Sequence, residues 1–347
     1  MVLSDGAEGG WLVLSAELAD PDNLGLFNQV ADGPLNVVLP ARRAQALKLE
    51  IGDAEIARLG LGPGANAQTV RGLAELGPDL ARPGPLRILE NDAAAVALAH
   101  QAIDLMKRAR LLPAVLAAPL PASARIEPVR WATQHDLSAV SAEELDAYRE
   151  IESTSLQRVS AARLPLAEVG EAQIVAFRPD TGGDEHLALI VGTPDDSAPL
   201  TRLHSQCFTG DVLGSLRCDC GDQLRGAIQA IGSAGGGVLL YLAQEGRGIG
   251  LVNKLRAYSL QDQGLDTVDA NEQLGFEADE RAYAPAAEML RQLGYSRVRL
   301  LTNNPAKVSG LESFGIEIVE RVPHAVPAGD HNGKYLATKA ERLGHLL

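Results

Sequence analysis

The sequence predicts two domains of the mixed α/β (α+β) class, each a mixed sheet with flanking helices. A chain of 347 residues is long enough to bury two separate cores. Short apolar runs alternate with helical patterns in both halves, with turn residues between them. We place the boundary near residues 155–163, around the run STSLQRVSA (153–161), which gives one domain of residues 1–155 and a second of residues 156–347.

The first half is predicted to combine short strands with Ala-rich helices. The run 92–112 has helical periodicity and a basic end that suits a helix C-terminus. A second helix is expected at 141–151, where Ser141 and Glu144 match a capping box. The remaining elements are strands at 35–40 and 85–90, and a short strand mixed with loop in the Pro/Ala-rich stretch 113–128.

The second half alternates strands and helices. QIVAFRP and HLALIVG are expected to pair as strands, and GGVLLYL reads as a buried strand. DQLRGAIQAIGSAG is a predicted helix that ends in glycines, and PAAEMLRQLG is another, with Pro285 in its first turn and Gly294 at its end. VRLLT and IEIVERV complete the predicted strands.

Composition and charge restrict the class of function. Hydrophobic content of 46% with 22% charged residues is ordinary for a globular protein. The net charge of −14 argues against a nucleic-acid polymer as partner, although a mononucleotide needs only a few local cations. No apolar run is long enough to span a membrane, and the start MVLSDGAEGG does not resemble a secretory signal. With three cysteines, these features lead us to expect a cytoplasmic protein.

The cysteines are the most informative residues of the chain. Cys207, Cys218 and Cys220 are the three that it contains, and they lie close together in sequence. Three thiolates suit Zn²⁺, and a set of three leaves a fourth position for water or substrate, as in catalytic sites. His204 is either a fourth ligand, which would make the site structural, or a neighbour of the metal or substrate. The alternatives are a disulfide with one free thiol and a group of three buried small hydrophobic side chains.

Three further segments carry residues suited to catalysis or phosphate binding. QEGRGIG (244–250) follows a strand, so that its glycines allow a close backbone approach to a ligand, and Arg247 could bind a phosphate. VRLLTNNPAK (298–307) has the same arrangement, with a solvated turn as the alternative. Asp279 and Arg281 are two residues apart, a spacing that is also common in surface ion pairs.

Taken together, residues from about 160 to 347 resemble the GTP cyclohydrolase II family. The matching runs are RLHSQCFTGDVLGSLRCDCGDQL, QEGRGIGLVNKLRAYSLQDQG, DTVDANEQLGFEADER, LLTNNPAK and KYLATKAERLGHLL. The resemblance implies one catalytic zinc ion per subunit on Cys207, Cys218 and Cys220. It implies GTP contacts by Arg202, Leu203, His204, Ser205, Gln206, Gln223, Glu245, Gly246, Arg247, Thr267, Thr302 and Lys307. Gln206 stands where many members of the family have Glu, and Leu242 stands where some members have His.

The implied reaction is hydrolysis of GTP to 2,5-diamino-6-(5-phosphoribosylamino)pyrimidin-4(3H)-one, formate and pyrophosphate, the first step of riboflavin biosynthesis. Zinc activates water for attack on C8 of guanine, and Mg²⁺ accompanies the phosphates. The resemblance makes Asp279 a proton acceptor and Arg281 a nucleophile, and places Tyr258 in the site. Because a guanidinium stays protonated, a phosphate clamp is the alternative role of Arg281. Glu245 could accept hydrogen bonds from the guanine edge. A homodimer is expected.

Residues 1 to about 155 resemble a degenerate 3,4-dihydroxy-2-butanone-4-phosphate synthase. The resemblance rests on ARPGPLRIL, AIDLMKRARLLPAVL and ATQHDLSAVSAEELDAYR. In the run Pro21–Leu26, Leu24 and Leu26 replace family carboxylates, and Ala97–His100 lacks the family's His and Glu, so His100 is expected on a helix face. We therefore expect no synthase activity and a dimerising or stabilising role. A bifunctional enzyme, a paralogue that hydrolyses GTP only partly and a zinc-stabilised nucleotide sensor are the alternatives.

Overall fold

The structure, a computed structural model, describes residues 1–5, 9–62, 64–75, 86–324 and 342. Two runs that carry the family resemblances fall partly outside this range, namely ARPGPLRIL at 81–85 and KYLATKAERLGHLL apart from residue 342. Among the described helices, none combines the length and the apolar character that a membrane span requires.

The chain folds into two compact units, and the first is discontinuous in sequence. Residues 1–148 pack with the segment 252–279, whereas residues 149–251 pack with the described residues from 280 onward. The sequence predicts a contiguous division at residue 155 and does not anticipate that segment 252–279 packs with the first half. The assignment of 1–155 and 156–347 to two families of domain remains a prediction, because compactness and ancestry need not follow the same boundary.

The first unit is built on a mixed sheet with helices. Its strands lie in the order β5-β4-β3-β6-β2-β1-β7, with β1 and β7 parallel and the other pairs antiparallel. The strands are β1 (Val2–Ser4), β2 (Gly10–Ser15), β3 (Asn36–Pro40), β4 (Ile56–Gly60), β5 (Arg87–Ile88), β6 (Val115–Pro119) and β7 (Ala139–Ser141). The helices of the first half are α1 (Pro21–Val30), α2 (Ala41–Ala46), α3 (Ala67–Ala74), α4 (Ala93–Arg108), α5 (Ala122–Arg125), α6 (Pro128–Gln134) and α7 (Ala142–Thr154).

The second unit contains a mixed sheet in the order β14-β13-β11-β12-β10-β9-β8. Its strands are β8 (Leu156–Arg163), β9 (Ala172–Pro179), β10 (His186–Gly192), β11 (Leu200–Ser205), β12 (Gly236–Leu242), β13 (Arg297–Leu301) and β14 (Glu317–Val322). The helices of the second half are α8 (Cys220–Ser233), α9 (Gly250–Asp262), α10 (Thr267–Gln273), α11 (Ala284–Gln292) and α12 (Pro305–Glu312). The segment STSLQRVSA, where we place the domain boundary, contributes to edge strand β8 of this sheet.

Each sheet buries an apolar core of mostly small and branched side chains. In the first unit, Leu98, Ala102 and Met106 of α4 pack against the sheet. In the second unit both faces are covered, one by Ala287 and Leu290 of α11 and their neighbours, the other by Ala227 and Ile231 of α8. The predicted mixed α/β class and the pairing of QIVAFRP with HLALIVG are confirmed.

Two local predictions for the first half are also confirmed. Ser141 and Glu144 form the capping box at the start of α7, with the Glu144 N–H donating to Ser141 Oγ at 3.1 Å and the Ser141 N–H to Glu144 Oε2 at 2.7 Å. His100 lies on α4 with its side chain exposed, and its Nε2 is 3.3 Å from Glu55 Oε2. It is therefore a helix-face residue, as the sequence predicts.

The second sheet creates one edge at which several loops meet. Strand β11 lies between β12 and β13 and is parallel to both, so the carboxyl ends of the three strands lie on the same side. The cysteine loop follows β11, QEGRGIG follows β12, and TNNPAK follows β13. The carboxyl edge of a parallel sheet is the usual place for ligand sites in open α/β folds.

Candidate metal centre and active site

The three cysteines meet at the carboxyl edge of β11. Their Sγ atoms all lie within 4.8 Å of one another, and those of Cys207 and Cys218 are 3.7 Å apart. All three are free, since a disulfide requires a sulfur–sulfur distance of about 2.05 Å. The disulfide alternative is therefore wrong for this structure. Among the described residues, these cysteines are grouped closely enough to hold a metal ion.

The cysteine loop is tightly packed around the sulfur atoms. Residues Phe208–Val212 form a single π-helical turn, an element that often occurs at functional sites. Within it, a Cβ on Gly210 would lie 2.8 Å from Cys218 Sγ and 3.1 Å from Cys207 Sγ. Glycine at this position is therefore what allows the backbone to approach the sulfurs.

The thiol chemistry of the cluster fits a soft divalent cation. Hydrogen bonding to Cys207 and Cys218, together with burial, raises the pKa of the Cys220 thiol well above its usual range. Hydrogen bonding to Cys207 likewise raises the pKa of Cys218. Three thiolates this close repel one another, and a cation between them removes the cost of ionising them. Zinc is the common ion that takes such a donor set.

A buried carboxylate, Asp211, organises the loop. Its Oδ2 accepts hydrogen bonds from the backbone N–H of Cys207 and from the Tyr241 hydroxyl, both at 2.9 Å. His204 Nε2 lies 3.0 Å from Asp211 Oδ1. Burial, followed by the charge of Asp211, raises the pKa of Tyr241. Asp211 gives no signal in the sequence, since a single Asp in the run FTGD has no recognisable spacing.

His204 is a neighbour of the cysteine cluster and does not belong to it. Its side chain is almost fully buried, is engaged by Asp211 and stacks on Tyr241 with ring centroids 5.6 Å apart. Burial lowers the pKa of His204, although Asp211 acts in the opposite direction. The described metal-ligand group contains the cysteines without His204, so the fourth-ligand alternative is not supported.

Glu245 supports the same loop from the end of β12. Its Oε2 accepts the backbone N–H of Phe208 at 2.6 Å, and its Oε1 accepts that of Gly246 at 3.0 Å. The side chain is buried. The two carboxylates Asp211 and Glu245 thus bind successive N–H groups directly after β11.

The QEGRGIG turn contains backbone strain of the kind found at functional sites. Arg247 has φ 62° and ψ 34°, a left-handed conformation that costs a residue with a side chain about 1–2 kcal/mol. Its carbonyl accepts the N–H of Glu280 at 3.1 Å, which ties the chain just before Arg281 to this turn.

Arg202 is buried on β11 and has one donor to spare. Its Nη1 donates to the Leu301 carbonyl at 2.9 Å, and its Nη2 to Gln223 Oε1 at 2.5 Å. Its Nε is buried with no hydrogen-bond partner in the described part of the chain. Burial lowers the pKa of Arg202 to about 10, although nearby Asp219 opposes the change. A buried, unsatisfied N–H is costly unless a ligand accepts from it.

The polar residues of the TNNPAK segment are buried, although Pro305 and Ala306 are exposed, so the alternative of a solvated turn with an exposed lysine is wrong. Thr302, Asn304 and Lys307 are all buried. Lys307 Nζ donates to the Leu203 carbonyl at 2.7 Å, and Asn304 caps α12 by accepting the Ala306 N–H at 2.9 Å. The structure thus brings Lys307 to strand β11 beside Arg202 and His204.

The remaining predicted residues divide between the two units. Leu203, Ser205 and Gln206 lie at the end of β11 in the second unit, where the Gln206 N–H donates to the Leu242 carbonyl at 2.8 Å. Arg281 belongs to the same unit and is half-buried. Tyr258, Thr267 and Asp279 lie in segment 252–279, which packs with the first unit. Within that segment Lys254 Nζ is 5.7 Å from the centre of the Tyr258 ring, and Thr267 begins α10.

The fold and the cysteine centre define an α/β protein with a metal-type thiol cluster at a sheet edge. Residues 157–323 match the family model described as GTP cyclohydrolase II. The GTP cyclohydrolase-2 of Azospirillum brasilense is 51% identical over 347 residues, covering 99% of this chain and 89% of that protein. The riboflavin biosynthesis protein RibBA of Bacillus cytotoxicus is 39% identical over 369 residues, covering 98% of this chain and 92% of that protein. The chain belongs to the GTP cyclohydrolase II family.

Other similarities cover the chain differently. The GTP cyclohydrolase-2 of Azotobacter vinelandii is 57% identical over 190 residues, which are 54% of this chain and 91% of that protein. Among solved structures, RibBX, a two domain 3,4-dihydroxy-2-butanone 4-phosphate synthase from A. baumannii, covers 94% of this chain and 96% of its own at 18% identity and a TM-score of 0.33. A structural similarity at this level supports no statement about fold or activity.

Proposed function

We propose that the chain hydrolyses GTP to 2,5-diamino-6-(5-phosphoribosylamino)pyrimidin-4(3H)-one, formate and pyrophosphate, as the first step of riboflavin biosynthesis. The observation that carries the proposal is the cluster of three free cysteines at the carboxyl edge of the second sheet. Family membership supports the substrate, since the relative from A. brasilense that covers nearly the whole chain is a GTP cyclohydrolase-2.

Cys207, Cys218 and Cys220 would hold a zinc ion, one per subunit. When bound, zinc supplies a Lewis acid for hydrolysis at the guanine imidazole ring. The chain's own part is to fix the donors: Asp211 binds the N–H of Cys207, and Glu245 that of Phe208. Mg²⁺ would accompany the GTP phosphates, where it shields the charge of the leaving pyrophosphate.

The cations beside the centre are suited to an anionic substrate. Arg202 offers a buried Nε–H, and the buried ammonium of Lys307 donates to the Leu203 carbonyl. We propose that these residues, with Arg247, bind the phosphates or polar edges of GTP. Glu245 would accept hydrogen bonds from the N–H groups of guanine, a role that suits an ionised carboxylate, which is a pure acceptor.

Asp279, Arg281 and Tyr258 take their proposed roles from the family. Asp279 would accept a proton, a role that suits a carboxylate. For Arg281 we favour a clamp on the α-phosphate, since its guanidinium carries a permanent charge. The contact between Glu280 and Arg247 supports an ordered backbone at this position.

We also propose that the first half has no synthase activity. Leu24 and Leu26 both lie on α1, where Leu24 is buried and Leu26 is exposed. As leucines, neither offers the carboxylate that a divalent cation needs. A bifunctional enzyme is the alternative, because a relative that covers 98% of this chain is named riboflavin biosynthesis protein RibBA. Incubating the full chain with ribulose 5-phosphate and Mg²⁺ decides between them, and formation of the butanone phosphate would refute our proposal.

One assay tests the main proposal. Purified full-length protein is incubated with GTP, Zn²⁺ and Mg²⁺, and formate, pyrophosphate and the diaminopyrimidine chromophore are followed together. We expect all three products from the native chain and none from Cys218→Ser. Asp222→Asn, on an exposed residue of α8 paired with Arg225, is the matched control and should retain activity. Formate without pyrophosphate would indicate a partial enzyme, and neither product would indicate a nucleotide sensor.

The proposed homodimer has a separate test. Sedimentation of the purified protein at micromolar concentration should give a mass twice that of the 36.6 kDa chain. A monomer across the concentration range would exclude the dimer without affecting the proposed reaction.

A further inference from the structure

Segment 252–279 is anchored by charged residues of the first half. It lies within the family match, yet it packs with residues 1–148. It carries Tyr258, Thr267 and Asp279, three of the residues assigned to the GTP site. The contacts that hold it therefore bear on catalysis, although they come from the half that resembles another enzyme.

The main anchor is a carboxylate–guanidinium pair between Glu17 and Arg256 of α9. Arg256 Nη2 donates to Glu17 Oε1 at 3.2 Å, and the side chains are 21% and 13% exposed for Arg256 and Glu17 respectively. Glu17 Oε2 also accepts the backbone N–H of Leu112 at 2.6 Å. The carboxylate is thus fixed to its own domain and presents its charge to the helix that carries Tyr258.

Arg256 is held from two further sides. Its Nε donates to Glu75 Oε1 at 3.0 Å, and its Nη1 to Asn253 Oδ1 at 2.7 Å. Asn253, which is fully buried, in turn donates to the carbonyl of Arg110 at 2.9 Å. A planar guanidinium with several fixed acceptors is more strongly oriented than a single surface ion pair.

A second anchor, Arg43 of α2, holds the end of α10. It is 1% exposed, and its Nη1 donates to the Gln273 carbonyl at 2.7 Å. Its Nε and Nη2 donate to the carbonyls of Leu73 at 2.7 Å and Gly72 at 3.3 Å. Burial lowers the pKa of Arg43 to about 10, with the charge of Glu75 opposing this. A buried charge needs its partners, so this arginine requires α10 to stay in place.

The backbone after α10 is equally close to the first half. Gly275 has φ +89°, and a Cβ there would lie 3.0 Å from Pro113 Cγ and 3.1 Å from Pro40 Cγ. On the surface beside it, Arg42 lies 3.1 Å from Glu272 and 3.2 Å from Glu277. The segment is therefore fixed at α9, at α10 and in the loop that leads to Asp279.

We propose that the first half serves as a positioning platform for segment 252–279, and that Glu17, acting through Arg256, and Arg43, acting through the end of α10, are its positioning residues. The inference rests on the proposed function for the roles of Tyr258, Thr267 and Asp279, while the anchoring itself does not. The first half, in which Leu24 and Leu26 replace the family's carboxylates, would thus contribute to the cyclohydrolase by holding this segment in place.

Hydrogen–deuterium exchange of the full-length, zinc-loaded protein tests the anchoring without any substrate. In Glu17→Gln, amides of 252–279 should exchange about tenfold faster, because one charge-assisted interaction is lost, while those of 200–250 keep their native rates. Glu55→Gln is the matched control, since its described partner, His100, also belongs to the first half. Unchanged exchange in 252–279 would overturn the platform.

Steady-state kinetics then separates positioning from loss of fold. Glu17→Gln should lower kcat for formate release by about ten- to a hundredfold, as small misplacements of catalytic groups do, with native zinc content and Tm close to that of Glu55→Gln. The double variant Glu17→Gln/Arg256→Gln should be no slower than Arg256→Gln alone, because the two residues act as one unit. Independent, multiplicative losses would contradict the inference.

The platform can still be tested if Glu17→Gln does not fold, and also if the native protein does not hydrolyse GTP. If Glu17→Gln does not fold, Glu75→Gln, whose side chain is 37% exposed, should still increase exchange in 252–279 by about threefold, and no increase would contradict the platform. If the native protein releases no formate from GTP, the proposed reaction fails, but the exchange comparison still decides whether the first half anchors the segment.

Discussion

His204 Nε2 lies 3.0 Å from Oδ1 of Asp211, and both side chains are almost completely buried beside the cysteine cluster. The same carboxylate binds the N–H of Cys207 and the hydroxyl of Tyr241. The position of Cys207 therefore depends on a carboxylate outside the cysteine cluster. Carboxylates that orient metal ligands through such contacts are a general feature of metal centres.

Asp211→Asn should weaken zinc binding by about ten- to a hundredfold, the usual effect of changing a residue that orients a ligand. Asn keeps the shape of the side chain, but its NH2 group must face either the donors of Cys207 and Tyr241 or Nε2 of His204, so one of these contacts is weakened. Competition with a chromophoric chelator measures the affinity. Asp222→Asn is the control, and equal affinities for the two variants would show that Asp211 does not support the centre.

Gly210→Ala should disrupt the centre by steric contact alone. The added methyl group would lie 2.8 Å from Cys218 Sγ, closer than carbon and sulfur can approach, so the π-helical turn must move. We expect zinc content after dialysis to fall to less than about a tenth of native, with the remaining fold preserved. Gly25→Ala, whose Cβ would meet no atom within 4 Å, should retain native zinc. Full zinc retention in Gly210→Ala would contradict the described packing of the loop.

Much of the second unit could be predicted from sequence because its signals are local. Continuous apolar runs such as HLALIVG predict strands, and the spacing of Cys207, Cys218 and Cys220 predicts a cluster that could hold a soft metal ion. The burial of Thr302 and Lys307 was not decided by the sequence, since a polar turn reads the same whether it is solvated or packed against a strand.

Other features depend on contacts between distant parts of the chain. The burial of Arg43 requires the carbonyl of Gln273, and neither residue belongs to a motif that indicates the other. Asp211 is similar, because its partners His204 and Tyr241 come together only when β11 and β12 pair. The same reason explains why a contiguous boundary at residue 155 does not anticipate that segment 252–279 packs with the first half.

Arg281→Lys separates the two roles considered for this arginine. Lysine keeps the positive charge, so a clamp on the α-phosphate should retain measurable pyrophosphate release at a rate reduced by about ten- to a hundredfold. The measurement is parallel detection of formate and pyrophosphate from GTP. Complete loss of pyrophosphate release with formate release intact would instead favour the nucleophile.

Stability should depend on pH through His324 in the second unit. Burial, followed by the charge of Arg202, lowers its pKa to about 4 from the usual 6.5. Between these values the unfolded chain binds the proton and the folded chain does not, so the free energy of unfolding should decrease as the pH falls from 6.5 to 4. His324→Gln should reduce this slope in urea unfolding series at several pH values. An identical slope in the variant would show that His324 is not the group responsible.

Metal content measured together with product formation tests the central claim most directly. Freshly purified full-length protein should contain one zinc ion per chain, and formate release from GTP should disappear on chelation and return when zinc is restored. Protein that releases formate at its native rate while elemental analysis finds no zinc would contradict the account.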